Sequence, residues 1–307
     1  MKPNVRSRVV LATCILATAL FGGQTKNAAL DGPAPTFPDV KYGPHERNVL
    51  DFWKAESATP SPVIVFIHGG GFRGGDKSGY RKRDQLQPFL SAGVSCAAIN
   101  YRFLTHAPIQ DILHDAGRAI QFIRSKAGEW NVDKTRLAAW GGSAGAGTSL
   151  WLDTREDLAD AKNADPVLRE SSRVSCAVLT STQATYDLTK WDAFLGKPKS
   201  EWVREEETYG FYHFKSKAEL ETDAGKAVLA ECDMLHWITK DDGPIFIVQN
   251  GNAAPPADLG QYLHHAKHAD EIKKACDEAG VKCEVRHGGA GMEPIKFVLE
   301  QFKAGKQ

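Results

Sequence analysis

The chain has 307 residues, 42% of them hydrophobic and 25% charged, enough apolar mass for a sizeable core within one α/β domain. Lys plus Arg and Asp plus Glu both number 38, so no net field draws the chain to nucleic acid or to an anionic membrane. Its partner is expected to be uncharged overall or recognised locally.

Residues 1–28 read as a secretory signal, because Lys2, Arg6 and Arg8 precede an apolar run over 9–21 that is too short to span a bilayer. Cleavage is expected between Gly22 and Ala29; with no clean small-x-small site, retention as an uncleaved anchor stays open. The expectation is a secreted or periplasmic protein with no stable membrane insertion after signal removal. Five cysteines lie beyond the signal, so at least one is unpaired or pairs between chains. Cys276 and Cys283 flank a helix-to-strand turn and are the expected pair, whereas Cys96 and Cys176 read as small buried residues on strands.

Residues 29–38 are Pro-rich and aperiodic, a linker into a domain expected to occupy 39–307. Short runs at 40–42 and 49–53, separated by Gly43-Pro44, suggest an antiparallel pair. The unbroken apolar run 63–67 predicts a strand covered on both faces, followed by a helix over 84–90 and a second buried strand over 94–101. Ile109, Ile112, Leu113, Ala116, Ile120 and Ile123 recur at helical spacing behind Pro108 and predict a helix over 109–126. Further strands are predicted at 136–140, 174–179, 245–248 and 281–286, and helices at 261–279 and 294–303. This alternation implies an α/β fold, a mainly parallel sheet of about eight strands with helices on both faces. From Tyr186 to Trp237 the alternation lapses into a stretch rich in aromatic and charged residues, read as a small cap-like insertion over 186–237.

The chemistry is concentrated at two motifs. Gly141-Gly142-Ser143-Ala144-Gly145 fits G-x-S-x-G and lies directly after a predicted strand and before a helix, where a nucleophile elbow belongs. The sharp turn requires small neighbours, which Gly141 and Gly145 supply. Earlier, His68-Gly69-Gly70-Gly71-Phe72 follows a buried strand, and its glycines let backbone N–H groups approach a developing oxyanion. Gly70, Gly71 and Ala144 are the expected oxyanion donors, with His68 orienting the loop.

On these motifs, on Tyr42-Gly43-Pro44, Leu50-Asp51-Phe52-Trp53 and Asn100-Tyr101-Arg102, the sequence resembles the hormone-sensitive-lipase-like and feruloyl/acetylxylan-esterase-like (BD-FAE-like) branch of the α/β-hydrolase superfamily. The resemblance runs from about residue 39 to the C-terminus and is strongest before Leu150. It implies a serine carboxylesterase acting on short acyl esters or on acyl groups of carbohydrates, with a Ser-Asp/Glu-His triad and no metal or organic cofactor. The second half departs from the family pattern. Ala254 occupies the place expected for the acid and Met292 the place expected for the histidine, which leaves Asp258 and His287 as the nearest replacements. Ser143, His287 and Asp258 are therefore the expected catalytic set.

Two other readings arise. The altered acid and histidine positions fit a non-catalytic binding protein that holds a ligand with Trp191, Trp202, Tyr209, Phe211, Tyr212 and Phe214. His264, His265 and His268 form a cluster in which His264 and His268 stand at i, i+4, a spacing able to hold zinc in a zinc hydrolase, although no Glu or third ligand at a known spacing accompanies them. Asp115 and Asp133 are assigned structural roles.

Overall fold

A computed structural model describes residues 32–305; the segment read as a signal lies outside the described residues. The strands are β1 (Phe37–Lys41), β2 (Val49–Trp53), β3 (Ser61–Ile67), β4 (Ser95–Ile99), β5 (Val132–Gly142), β6 (Ala177–Thr180), β7 (Ile245–Gln249) and β8 (Cys283–His287). The helices are α1 (Leu86–Ser91), α2 (Ile109–Ser125), α3 (Ala127–Trp130), α4 (Ala144–Thr154), α5 (Trp191–Leu195), α6 (Glu205–Gly210), α7 (Asp223–Cys232), α8 (Met234–Trp237), α9 (Leu259–Leu263), α10 (Lys267–Ala279) and α11 (Glu293–Ala304). No helix among the described residues is long and apolar enough to cross a membrane.

The eight strands form one sheet in the order β1-β2-β4-β3-β5-β6-β7-β8. β1, β2 and β4 pair antiparallel, and the pairs from β4 through β8 are parallel. Every residue of β3 is buried, as a strand covered on both faces requires. Its side chains alternate between two cores: Val63, Val65 and Ile67 join the cluster beneath α2, α4 and α10, and Ile64 and Phe66 join the one beneath α1 and α11. β1 starts at Phe37, two residues into the predicted linker, and β5 runs well past its predicted span at both ends.

Two expectations change. The helix predicted over 261–279 is broken into α9 and α10, with His264 at the break (φ −121°, ψ 26°). The segment is pinned there to the loop after β7, since His265 Nε2 contacts the Ala254 carbonyl (3.1 Å) and the Ala266 N–H donates to the Asn252 carbonyl (3.1 Å). Cys276 and Cys283, the expected pair, are both buried and unbridged here. They are neighbours, and the Cys283 thiol together with burial pushes the Cys276 thiol up.

The insertion carries α5 to α8, and its aromatic residues pack inward. Trp191 and Trp202 flank Tyr262 of α9 at 5.9 and 6.3 Å between ring centres, while Phe211 stacks toward Phe72 and Tyr186. His268 of α10 is fully buried edge-on to Trp191 and Phe194, and its Nδ1 accepts from the Ala184 N–H (3.1 Å).

Burial lowers the pKa of His268 from the usual 6.5 to about 3. The folded state therefore resists a proton that the unfolded chain accepts, so stability present above pH 6.5 is lost as the pH falls toward 3. Between pH 7.5 and pH 5 the loss is about 2 kcal/mol. In His268→Asn the Oδ1 replaces Nδ1 as acceptor, and urea titrations of both proteins at the two pH values are expected to show the variant lacking that loss.

Candidate active site

Ser143 stands between β5 and α4 with φ 52° and ψ −121°, a strained backbone for a residue with a side chain. The strain is fixed by close packing. A Cβ on Gly145 would lie 2.1 Å from the Ile67 carbonyl oxygen, and one on Gly141 would lie 2.0 Å from that of Gly145. The turn therefore accepts only glycine at these two places. The Ser143 N–H donates to Thr180 O (2.9 Å), tying the elbow to the end of β6.

The glycine loop lies against this turn. Gly69 is so close that a Cβ there would meet Gly142 O at 2.6 Å and Ser143 Cβ at 3.3 Å. Gly70, Gly71 and Phe72 follow with φ of 108°, 59° and 58°. The N–H groups of Gly70 and Gly71 donate to no acceptor among the described residues, and Ala144, as the first residue of α4, has no helical carbonyl to bind. Three N–H donors thus remain available on the glycine loop and the start of α4. His68 turns away from it: Nδ1 bonds the Gly69 carbonyl (2.7 Å), the ring stacks on Tyr101 at 4.2 Å, and burial lowers its pKa. The Tyr101 hydroxyl donates to His68 O (2.6 Å), so this pair shapes the loop.

The imidazole that reaches Ser143 is that of His264, with Oγ to Nε2 2.8 Å. Its Nδ1 lies 2.9 Å from the Gly260 carbonyl oxygen. Since a carbonyl only accepts, Nδ1 carries the proton and Nε2 offers its lone pair to the serine hydroxyl. This is the tautomer a general base needs.

The expected partner, His287, is not there. It is the last residue of β8, exposed and paired with Gln249 of β7. β8 lies three strand positions from β5, roughly 14 Å across the sheet, whereas α9 folds back over the gap. Asp258 is also elsewhere employed. It caps α9, its Oδ1 accepting from the Gln261 N–H (2.8 Å) and its Oδ2 facing Gln261 Nε2 (3.4 Å). Met292 is half exposed at the start of α11.

His264 and His268 do not converge on a metal, because one faces Ser143 and the other is enclosed by aromatic rings. Among the described residues, His45, Glu46 and His106 do bring ligand atoms within 4.8 Å of one another. The Nδ1 atoms of both rings accept backbone N–H bonds, from Arg47 and Phe103 (3.1 Å each). Each neutral ring then presents a proton, not a lone pair, at Nε2, which does not suit a cation.

A cavity of about 380 Å³ opens beside Ser143, with His68, Tyr80, Arg83, Trp140 and Ser181 among its walls. None of the aromatic residues of the insertion expected to hold a ligand lines it. Sequence reasoning paired His264 only with His268 and so missed its contact with the serine. The available signal was Asp258-Leu259-Gly260-Gln261, a capping pattern that starts a helix just past the end of β7 and delivers His264 one turn later.

A strained serine elbow on a mainly parallel sheet, an adjoining glycine loop and a base-tautomer histidine define the α/β-hydrolase fold. Residues 50–257 match the BD-FAE family model, and the chain belongs to that family. It is 33% identical over 115 residues to the probable carboxylic ester hydrolase LipM of Mycobacterium tuberculosis, covering 35% of this chain and 26% of that protein. It is 27% identical over 146 residues to gut esterase 1 of Caenorhabditis elegans, covering 44% of this chain and 26% of that protein. The chain thus matches about a quarter of the length of these curated relatives. Among solved structures, a truncated carbohydrate esterase from gut microbiota superposes with a TM-score of 0.70 at 19% identity, over 90% of this chain and 99% of that one. An acetyl ester-xyloside bifunctional hydrolase from Caldicellulosiruptor lactoaceticus gives 0.59 at 20% identity, over 83% and 87%. These likenesses are of fold.

Gly251 offers a test of the histidine's placement, because a Cβ there would sit 1.7 Å from the His264 carbonyl oxygen. Gly251→Ala must therefore displace the His264 backbone relative to the loop after β7. Steady-state kinetics on an activated ester are expected to show kcat down about 100-fold, a loss that a misplacement near 1 Å can cause.

Proposed function

We propose that the chain is a serine carboxylesterase in which Ser143 is the nucleophile and His264 the general base. The observation that carries this reading is the 2.8 Å contact between Ser143 Oγ and the unprotonated Nε2 of His264. Ser143 Oγ attacks the ester carbonyl carbon as its proton passes to Nε2. The carbonyl oxygen takes up the negative charge and is met by the N–H groups of Gly70, Gly71 and Ala144. Collapse of the tetrahedral intermediate expels the alcohol, which receives the proton from His264, and leaves an acyl-serine. Water, deprotonated by the same imidazole, releases the acid and restores the hydroxyl.

The substrate class we propose is short acyl esters, including acyl groups on carbohydrates. Support comes from the size of the cavity beside Ser143, about 380 Å³, and from its walls, where Tyr80 and Trp140 stand beside Arg83 and Ser181. The carbohydrate-esterase neighbours point the same way. We further infer export to the periplasm or the medium, supported by the basic residues Lys2, Arg6 and Arg8 ahead of the apolar run 9–21. The alternative of a ligand-holding protein drew on Ala254 and Met292 at the expected acid and histidine positions; the contact from His264 answers the second of these.

Hydrolysis of p-nitrophenyl acetate by the wild type, Ser143→Ala, His264→Ala and His287→Ala tests the assignment. Loss of about 10⁶ in kcat is expected for each of the first two variants, with His287→Ala close to wild type. Equal rates for wild type and Ser143→Ala would sink the esterase reading.

A further inference from the structure

We infer that the reaction runs on a Ser143–His264 dyad in which the main-chain carbonyl of Gly260 does the work of the third, acidic member of a triad. The inference rests on the esterase reading above and concerns how its base is held. In a triad a buried carboxylate accepts from Nδ1–H, fixing the tautomer and stabilising the imidazolium that forms. Here the group at that place is the Gly260 oxygen, 2.9 Å from His264 Nδ1, and the same oxygen accepts the His264 N–H at 3.1 Å. The residue in the family's acid position is Ala254, whose carbonyl is engaged by His265. The one carboxylate on this segment, Asp258, is exposed and turned to Gln261.

A peptide carbonyl can set the tautomer as firmly as a carboxylate. It lacks the full negative charge, so it stabilises the imidazolium less than a carboxylate does. What it offers instead is rigidity, because it belongs to the same short helix as the histidine. That helix is held at several points. Asp258 and Gln261 close its first turn reciprocally, Gln261 Oε1 also accepting the Ala257 N–H (3.0 Å). Tyr262 is buried between Trp191 and Trp202 with its hydroxyl on Gly196 O (3.2 Å), and Gln183 Nε2 donates to Leu263 O (2.8 Å). Gly251 backs directly onto the His264 carbonyl. Asp258 thus serves the site as a helix cap, a positioning residue whose charge is not required.

The test compares Asp258→Asn with wild type and Ser143→Ala in p-nitrophenyl acetate hydrolysis across pH 4 to 9. Asn caps a helix about as well as Asp, so α9 is kept while the negative charge is removed. The expected result is a kcat/KM within about threefold of wild type and an acid limb that superimposes on the wild-type profile. A fall of about 10⁴ in kcat, the cost of neutralising a triad acid, with a displaced acid limb, would overturn the dyad and leave the esterase standing. Wild-type activity equal to that of Ser143→Ala would overturn both.

Discussion

The contact between the start of α4 and the end of β3 is the constraint on which the site depends. Gly145 lies so close to the carbonyls of Ile67 and His68 that any side chain there would sit 2.1 and 2.7 Å from them. That approach bends the chain at Ser143 into a conformation few residues adopt, and the sheet around it supplies the compensation: Ser143 N–H to Thr180 O, Tyr186 hydroxyl to Ala144 O. It also brings the strand end that carries the glycine loop within touch of the serine. The serine turn and the glycine loop therefore come to register through one backbone contact, independent of flexible side chains.

The far side of the glycine loop is anchored by a buried lysine. Lys77 Nζ sits between Asp39 of β1 and Asp51 of β2 at 2.7 Å from each, while its N–H donates to Asn100 Oδ1 (2.7 Å), and Asn100 Nδ2 donates to Asp76 (2.7 Å). Burial opposes ionisation of Asp76, yet the bonds from Ser78 and Asn100 and the charge of Lys77 prevail and bring its pKa to about 2. A paired buried lysine contributes little net stability, but leaving one partner unpaired is costly. The network thus works as a registration device, fixing where the loop leaves β3 relative to the antiparallel edge of the sheet.

What was legible in the sequence was whatever a short-range pattern encodes. Buried parallel strands are apolar runs, α2 is a clean 3.6-residue repeat, and the elbow and oxyanion loop are glycine spacings tied to a strand end, so the sheet and the surroundings of Ser143 could be read directly. The histidine could not. Its position follows from a break between α9 and α10 that no periodicity announces, since 261–279 continues to look helical. The break comes from tertiary pinning of His265 and Ala266 to residues 252–254. His287, the histidine nearest to the expected position now held by Met292, ends a strand at the sheet's edge. Asp258 is legible as a cap from its spacing to Gln261; the acid role comes only from the resemblance, and the structure gives it the cap.

The insertion between β6 and β7 acquires a different meaning in this light. Its aromatic composition suggested a lid or a ligand wall, yet Trp191 and Trp202 are spent on Tyr262, and Phe194 on His268. These contacts bear on α9 and α10 in addition to the loop of residues 252–254 that pins them. A helix of five residues has too few internal hydrogen bonds to be stable alone, so its geometry is set by what surrounds it. Where a carboxylate holds the base, attraction between charges tolerates some looseness in the supporting chain. A neutral carbonyl gives no such latitude, and the surrounding protein must supply the precision. The aromatic clamp, the capping pair and the bare approach of Gly251 together do so, and they account for why an insertion rich in large rings is packed against the one short helix that carries His264.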